Sequence, residues 1–132
     1  YKAKARLVAK GVTDPDQTTI RAEAPTLSTM ARHMLIQIAA LHKFLLEMGA
    51  VKTAFLQGDK EEESRDVYLE PTADLRTKLG LTREDIVKLT GSVYGLRNAP
   101  RRWYQRVRRD LIALGWRVHQ LDQCVFAHIR RR

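Results

Sequence analysis

Residues 49–59 constrain the fold of this chain more than any other stretch. They follow residues 45–48, a short apolar run of strand length. They end in Gln57, Gly58 and Asp59, and the acidic cluster after them is typical of a surface loop. This pattern predicts the end of a buried strand that breaks into one helical turn after Val51. We therefore expect the chain to be organised around a sheet.

Length and composition predict a single globular domain. The chain has 132 residues, of which 44% are hydrophobic, enough for a core and too many for a disordered chain. No apolar run reaches membrane-spanning length and no signal peptide is visible, so we expect an intracellular protein without a membrane partner. A single cysteine, Cys124, excludes an internal disulfide. Because the first residue is Tyr1 and not methionine, we expect a piece of a longer protein.

The positive charge is concentrated in the last part of the chain. The net charge is +9, and residues 97–132 hold ten arginines against only Asp110 and Asp122. Arginine binds phosphate in a bidentate manner and stacks on bases. With Trp103 and Tyr104 inside this segment, the pattern predicts a polyanion partner, most simply nucleic acid. The alternative is a solvated face that only keeps the protein soluble.

Periodicity and turn signals predict the other elements of an α+β fold. Alternation predicts a strand with a basic face over residues 2–11, and further strands are predicted over 66–70 and 85–89. Between the last two strands, residues 72–83 are predicted to form two short turns or a short helix, closed by Gly80. A longer helix over 28–44 is expected to pack on the sheet through its apolar positions, namely Met30, Met34, Leu35, Ile38, Leu41 and Phe44.

A second long helix is predicted over residues 99–114. Asn98 is a good helix cap, and Pro100 fits the first turn, where its missing N–H costs nothing. Gly115 ends the helix. The spacing predicts a buried stripe of Trp103, Val107, Leu111 and Leu114, and an exposed face of Arg102, Arg106 and Arg109.

Three motifs resemble copia-type retrotransposon reverse transcriptases. Residues 50–56 resemble the first catalytic motif of that family, Asp-Val-Lys-Thr-Ala-Phe-Leu, with Ala50 at the position of the aspartate. Residues 92–104 match the family's Ser-Leu-Tyr-Gly-Leu-Lys-Gln-Ala-Pro-Arg-Ala-Trp-Tyr at nine of thirteen positions. Residues 1–11 resemble its fingers strand, with an extra Lys-Ala. The resemblance covers nearly the whole chain.

The resemblance implies part of the fingers and palm of a polymerase. The expected fold is an antiparallel sheet with helices packed on one side. Residues 1–24 would form the fingers strand and loop, and residues 25–132 the fingers and palm. The family's Tyr-Val-Asp-Asp hairpin, which carries the other two catalytic carboxylates, would come after the end of this chain.

The resemblance also implies roles for individual residues. In the family the leading aspartate binds catalytic Mg²⁺, so with Ala50 we expect no intact catalytic residue, no metal ligand and no tight Mg²⁺ binding. Lys4 and Arg6 would contact the triphosphate of the incoming nucleotide, although both also fit an ordinary basic strand. Phe55 would select deoxyribose, or would simply be a core residue. Tyr94 would lie beside the nucleotide, and the nucleic-acid contacts would be Arg97, Arg101, Arg102 and Arg106.

The function implied is that of an RNA-directed DNA polymerase fragment that is inactive as it stands. Its partners would be an RNA or DNA template–primer and deoxynucleoside triphosphates, with integrase and RNase H elsewhere on the parent polyprotein. Two alternatives remain: a non-catalytic basic nucleic-acid-binding module derived from the same fold, and a relic that binds nothing specifically.

Overall fold

The computed structural model describes residues 6–16, 18–59 and 66–128. These contain three α-helices and four short strands. In chain order they are α1 (Thr29–Leu41), β1 (Val67–Leu69), α2 (Ala73–Leu79), β2 (Val87–Leu89), α3 (Ala99–Ala113), β3 (Arg117–Val118) and β4 (Phe126–Ala127). Two 3₁₀ turns, Gly11–Thr13 and Ala54–Gln57, complete them. Mixed helices and small antiparallel sheets make this an α+β fold, as predicted.

Two antiparallel pairs of strands form the sheets in the described part of the chain. β1 pairs with β2, with Val67 opposite Leu89 and Leu69 opposite Val87, and β3 pairs with β4. Helix α2 connects β1 to β2 and ends at Gly80, which has a left-handed φ of 66°. The predictions for strands over 66–70 and 85–89 are confirmed, and of the two alternatives between them the chain forms the short helix.

Helix α1 is confirmed, but its packing is not. Ser28 caps it by accepting a hydrogen bond from the backbone N–H of Ala31 at 3.1 Å. The helix ends at Leu41, before the predicted residue 44, because Lys43 adopts a positive φ of 54°. Its apolar side chains remain in solvent, with Met30 72% exposed. The expectation that this helix packs on a sheet is therefore wrong for the described part of the chain, where Ala39 is its only buried residue.

The prediction of a buried strand that carries Ala50 is also wrong. Residues 43–51 form no regular structure, and their side chains are exposed, including Met48 at 102%. An extended segment needs a neighbouring strand to accept and donate its backbone hydrogen bonds. No described strand pairs with this segment, so it stays irregular. The helical turn predicted after Val51 is confirmed as the 3₁₀ turn Ala54–Gln57.

The core lies where α3 meets the 3₁₀ turn and the first sheet. Ala9, Leu96 and Ala99 are buried there, and the half-buried side chains packed against them are Phe55, Val67, Leu69, Leu89 and Val93. Pro100 lies in the first turn of α3 as predicted. Asn98 occupies the cap position, but its side chain makes no capping hydrogen bond. Leu114, predicted to be buried, is 69% exposed because it lies beyond the last helical residue.

The predicted basic strand over residues 2–11 is only partly described. Residues 1–5, including Lys4, lie outside the described residues, as does the acidic loop 61–63. From Arg6 onward the chain forms no strand, but Val8 makes an isolated parallel bridge to Tyr94. The N-terminal segment is thereby attached to the loop before α3.

Asp122 connects two distant parts of the fold. Its carboxylate accepts hydrogen bonds from the backbone N–H groups of Ser28, at 3.0 Å, and Cys124, at 2.9 Å. These bonds, that of Ser28 first, hold the pKa of Asp122 below its usual value. The start of α1 is thus joined to the turn before β4.

We expect Asp122→Asn to flatten the loss of stability in acid. Because the pKa of Asp122 is lowered in the folded state, the stability it contributes is present above its unfolded pKa of about 3.9. That contribution is lost as the pH falls through the folded pKa. Urea unfolding from pH 6 to the acid limit should therefore show a shallower decline for Asp122→Asn. Glu84→Gln is the control, and an equal change in both variants would contradict this role for Asp122.

Candidate functional site

The candidate site is built where the N-terminal segment crosses the loop at residues 94–97. The backbone N–H of Ala9 donates to the carbonyl of Tyr94 at 2.7 Å. The two backbones approach so closely that a Cβ on Gly95 would lie 2.0 Å from the carbonyl oxygen of Ala9. A Cβ on Gly11 would lie 2.2 Å from the carbonyl oxygen of Gly95. Glycine at both positions therefore permits this contact.

A cavity of about 820 Å³ opens beside this crossing. Among the residues that the structure describes, three separate stretches of the chain line it, namely Arg6, Leu7, Ala50, Val51, Lys52, Thr53, Leu56, Val93 and Tyr94. The cavity therefore brings together three of the residues singled out in the sequence, Arg6, Ala50 and Tyr94. Its volume lies within the range of small-molecule sites, about 300–1,000 Å³.

The charged and aromatic groups of the cavity favour a planar anion. The guanidinium carbon of Arg6 lies 5.7 Å from the centroid of the Tyr94 ring, a cation–π distance. Lys52 supplies a second positive charge to the lining. Arginine and tyrosine both offer π faces on which nucleobases stack. The arrangement can hold a ring and a phosphate group close together.

Phe55 does not line the cavity. Its ring lies 5.6 Å from that of Tyr94, and it packs against the core formed around Leu96 and Ala99. This position fits the alternative that Phe55 is a core residue. Thr53, which precedes the turn of Phe55, has a left-handed φ of 50°, uncommon for a residue other than glycine.

The residues present do not fit a Mg²⁺ site. Ala50 contributes only a methyl group, and none of the described residues that line the cavity has a carboxylate. Throughout the described ranges, no three His, Cys, Asp or Glu residues lie close enough to share a metal ion. Mg²⁺ prefers oxygen ligands in octahedral geometry, including at least one carboxylate. We therefore assign no chemical step to a bound metal.

Asp59 is the first acidic residue that follows the cavity-lining segment 50–56 in the chain, and its carboxylate pairs with arginines of helix α3. Both of its oxygens accept from the guanidinium of Arg109, at 2.6 and 2.7 Å, and Arg106 lies 4.0 Å away. The hydrogen bond to Asp59 raises the pKa of Arg109. Arg106 also pairs with Asp110 at 2.7 Å, four residues along the helix. The Arg106–Asp110 spacing is visible in the sequence, but nothing there signals the contact with Asp59.

The four arginines predicted to contact nucleic acid occupy different environments. Arg97 is exposed, Arg101 donates to the carbonyl of Glu23 at 3.4 Å, and Arg106 is engaged by Asp110. Arg102 is only 5% exposed, so the prediction that it lies on the exposed face of the helix is wrong. Arg102 is buried because the turn after the 3₁₀ segment lies against it. A Cβ on Gly58, in that turn, would be only 3.2 Å from the Cβ of Arg102.

No helix in the part of the chain that the structure describes is both long and apolar enough to cross a membrane.

Comparison with known proteins places the site in context. The family model described as reverse transcriptase (RNA-dependent DNA polymerase) matches residues 1–131. The chain is 31% identical, over 93% of its length, to the retrovirus-related Pol polyprotein from transposon TNT 1-94 of Nicotiana tabacum. It is 30% identical, over 98% of its length, to that from transposon RE2 of Arabidopsis thaliana, and 31% identical, over 93%, to that from transposon RE1. The chain spans 9%, 9% and 8% of these relatives. No solved structure matches it.

Proposed function

The chain belongs to the reverse transcriptase family of copia-type retrotransposon polyproteins, and from this premise we propose that it is a fingers and palm segment that binds nucleotide and template–primer without polymerising. Residues 1–24 would belong to the fingers, and residues 25–132 to the fingers and palm. One observation carries the proposal: the cavity gathers Arg6, Ala50 and Tyr94 from three distant motifs. Deoxynucleoside triphosphates and an RNA or DNA template–primer are the proposed ligands.

The positions of the side chains support the proposed binding roles. Arg6 and Lys52 would hold the phosphates, and the ring of Tyr94 would support the base. Backbone contacts between residues 8–11 and 94–97 would fix the distance between Arg6 and Tyr94. Lys4 is proposed as a further phosphate contact on the strength of the family resemblance alone. Arg97 and Arg101 are the proposed contacts to the template–primer backbone.

The proposed inactivity rests on Ala50. Nucleotidyl transfer of this type requires metal ions held by carboxylates between the attacking hydroxyl and the phosphate. Loss of a single transition-state hydrogen-bond donor costs roughly 10²–10³ in rate, and loss of a charged metal ligand should cost more. A methyl group at position 50 offers no oxygen at all. On this proposal the described residues of the cavity would bind and orient a nucleotide but would supply no carboxylate for the chemistry.

We expect the chain to bind a template–primer in a salt-dependent manner and to extend no primer. The assay combines fluorescence anisotropy on an RNA–DNA duplex with primer extension in Mg²⁺ or Mn²⁺. Arg97→Ala with Arg101→Ala should lower the slope of log affinity against log salt by about 1–2, because each phosphate contact contributes about 0.7–0.9. Arg109→Ala, whose guanidinium is engaged by Asp59, is the matched control and should change the slope little.

Primer extension by the chain with Ala50 in place would contradict the proposed inactivity and the alignment of Ala50 with the aspartate. An unchanged salt slope in the double variant would favour the solvated face over a nucleic-acid interface. Binding of the duplex without any binding of nucleotide would favour the alternative, a basic module that retains the fold.

A further inference from the structure

We infer that the cavity binds a nucleoside triphosphate in its metal-free form, and that Mg²⁺ weakens this binding. The inference rests on the proposed function, because it assumes that a nucleotide occupies the cavity beside Ala50 and Tyr94. It concerns the ionic form of the ligand, which the proposed function leaves open.

The charges that line the cavity favour a triphosphate that keeps its full negative charge. Among the described residues of its wall, Arg6 and Lys52 are charged, and both are cations. A triphosphate without a metal ion presents its full negative charge to them. When Mg²⁺ binds the phosphates, it neutralises part of that charge and occupies oxygens that Arg6 and Lys52 would otherwise contact.

None of the described residues in the wall is acidic, so none of them can act as a carboxylate ligand for Mg²⁺. In a site with carboxylates, Mg²⁺ joins the protein to the phosphates and so supports nucleotide binding. At the position where the family's motif has an aspartate, this cavity has Ala50, whose side chain is a methyl group. The nearest carboxylate that follows in the chain, Asp59, is held by both nitrogens of Arg109. Mg²⁺ on the nucleotide therefore gains no ligand from the described wall.

The Arg6–Tyr94 contact explains why the ligand should carry a base and not be a bare polyphosphate. The guanidinium carbon of Arg6 lies over the Tyr94 ring, 5.7 Å from its centroid, so one wall of the cavity presents a planar cation next to an aromatic ring. The apolar part of the lining, Leu7, Val51, Leu56 and Val93, suits a ring better than it suits a charged group. A ligand with a phosphate tail and an aromatic head uses both kinds of surface.

The test is calorimetric titration of the whole chain with deoxythymidine triphosphate, in EDTA and in excess MgCl₂ at matched ionic strength. We expect binding in EDTA to be tighter by roughly 5- to 50-fold, the usual size of coupling between two ligands. Inorganic triphosphate should bind more weakly than the nucleotide in EDTA because it lacks the base.

Substitutions at position 50 sharpen the test. Ala50 is exposed, so a larger side chain can be accommodated there. Ala50→Asp places a carboxylate in the wall and should reverse the effect, so that Mg²⁺ strengthens binding. Ala50→Asn has the same size without the charge and should keep the preference for EDTA. Arg6→Gln should weaken binding in EDTA more than in Mg²⁺.

The outcomes separate the inference from the function on which it rests. Tighter binding in EDTA by the unmodified chain, reversed only by Ala50→Asp, supports the inference. Binding that is equal or tighter in Mg²⁺ overturns it and leaves the proposed nucleotide site standing. No binding in either buffer overturns both.

Discussion

Replacing Gly95 by alanine is expected to destabilise the protein by roughly 3 kcal/mol or more and to abolish ligand binding in the cavity. Gly95 has a φ of 91°, a conformation that strains any residue with a Cβ. The added Cβ would also lie 2.0 Å from the carbonyl oxygen of Ala9 and 2.8 Å from Cγ1 of Val8. Because the first of these is a backbone atom, the N-terminal segment must move away.

Two other glycines separate the effect of backbone conformation from that of contact. Gly80 has a φ of 66°, and a Cβ there would meet nothing within 4 Å, so Gly80→Ala should cost only about 1–2 kcal/mol. Gly91 has no positive φ, and a Cβ there would meet nothing within 4 Å. Gly91→Ala should therefore change stability by less than about 0.5 kcal/mol. Urea unfolding followed by tryptophan fluorescence measures all three. If Gly95→Ala cost no more than Gly80→Ala, the close contact with Ala9 would be refuted.

Arg102→Ala is expected to destabilise the fold by about 2–4 kcal/mol, although arginine on a helix is usually a surface residue. Its side chain is buried, and its Cβ lies close to Gly58, where an added Cβ would be 3.2 Å away. Removing the stem of this side chain leaves a cavity at the contact between α3 and the 3₁₀ turn, so the loss is one of packing as well as of charge. The affinity of the folded fraction for nucleic acid should stay unchanged.

Two matched variants test this interpretation of Arg102. Arg102→Met keeps most of the stem and should recover part of the lost stability. Arg108→Ala, at an exposed position of the same helix, should change stability by less than about 0.5 kcal/mol. Full stability of Arg102→Ala together with weaker template binding would restore the original prediction that Arg102 is an exposed contact.

Sequence reasoning succeeded where the signal was local. Ser28, Gly80 and Pro100 mark helix ends through hydrogen bonds and dihedral angles that involve only a few neighbouring residues, and the structure has the helix boundaries at or near these residues. The family resemblance implies that Ala50 and Tyr94 both lie near the nucleotide, and both residues line the same cavity. Within the described residues, Arg6 joins them in the cavity.

The failures concern interactions between distant parts of the chain. An apolar run such as residues 45–48 becomes a strand only when another strand pairs with it, and the run itself does not contain that information. Helical periodicity predicts an exposed position for Arg102, because it gives the angle of a side chain around the helix but not what packs against that face. The pair of Asp59 with Arg109 joins residues fifty positions apart and has no local signal.

The bridge between Val8 and Tyr94 also sets an order of events during translation. A ribosome that adds about 5–20 residues per second exposes the N-terminal segment several seconds before position 94 exists. Closing so long a loop is entropically costly, and the contacts at Gly95 can repay that cost only after the loop has been made. The nascent chain therefore carries Arg6 and Ala50 early and acquires the cavity between them late. A chain whose synthesis stops before Tyr94 contains both residues and has no cavity for a ligand.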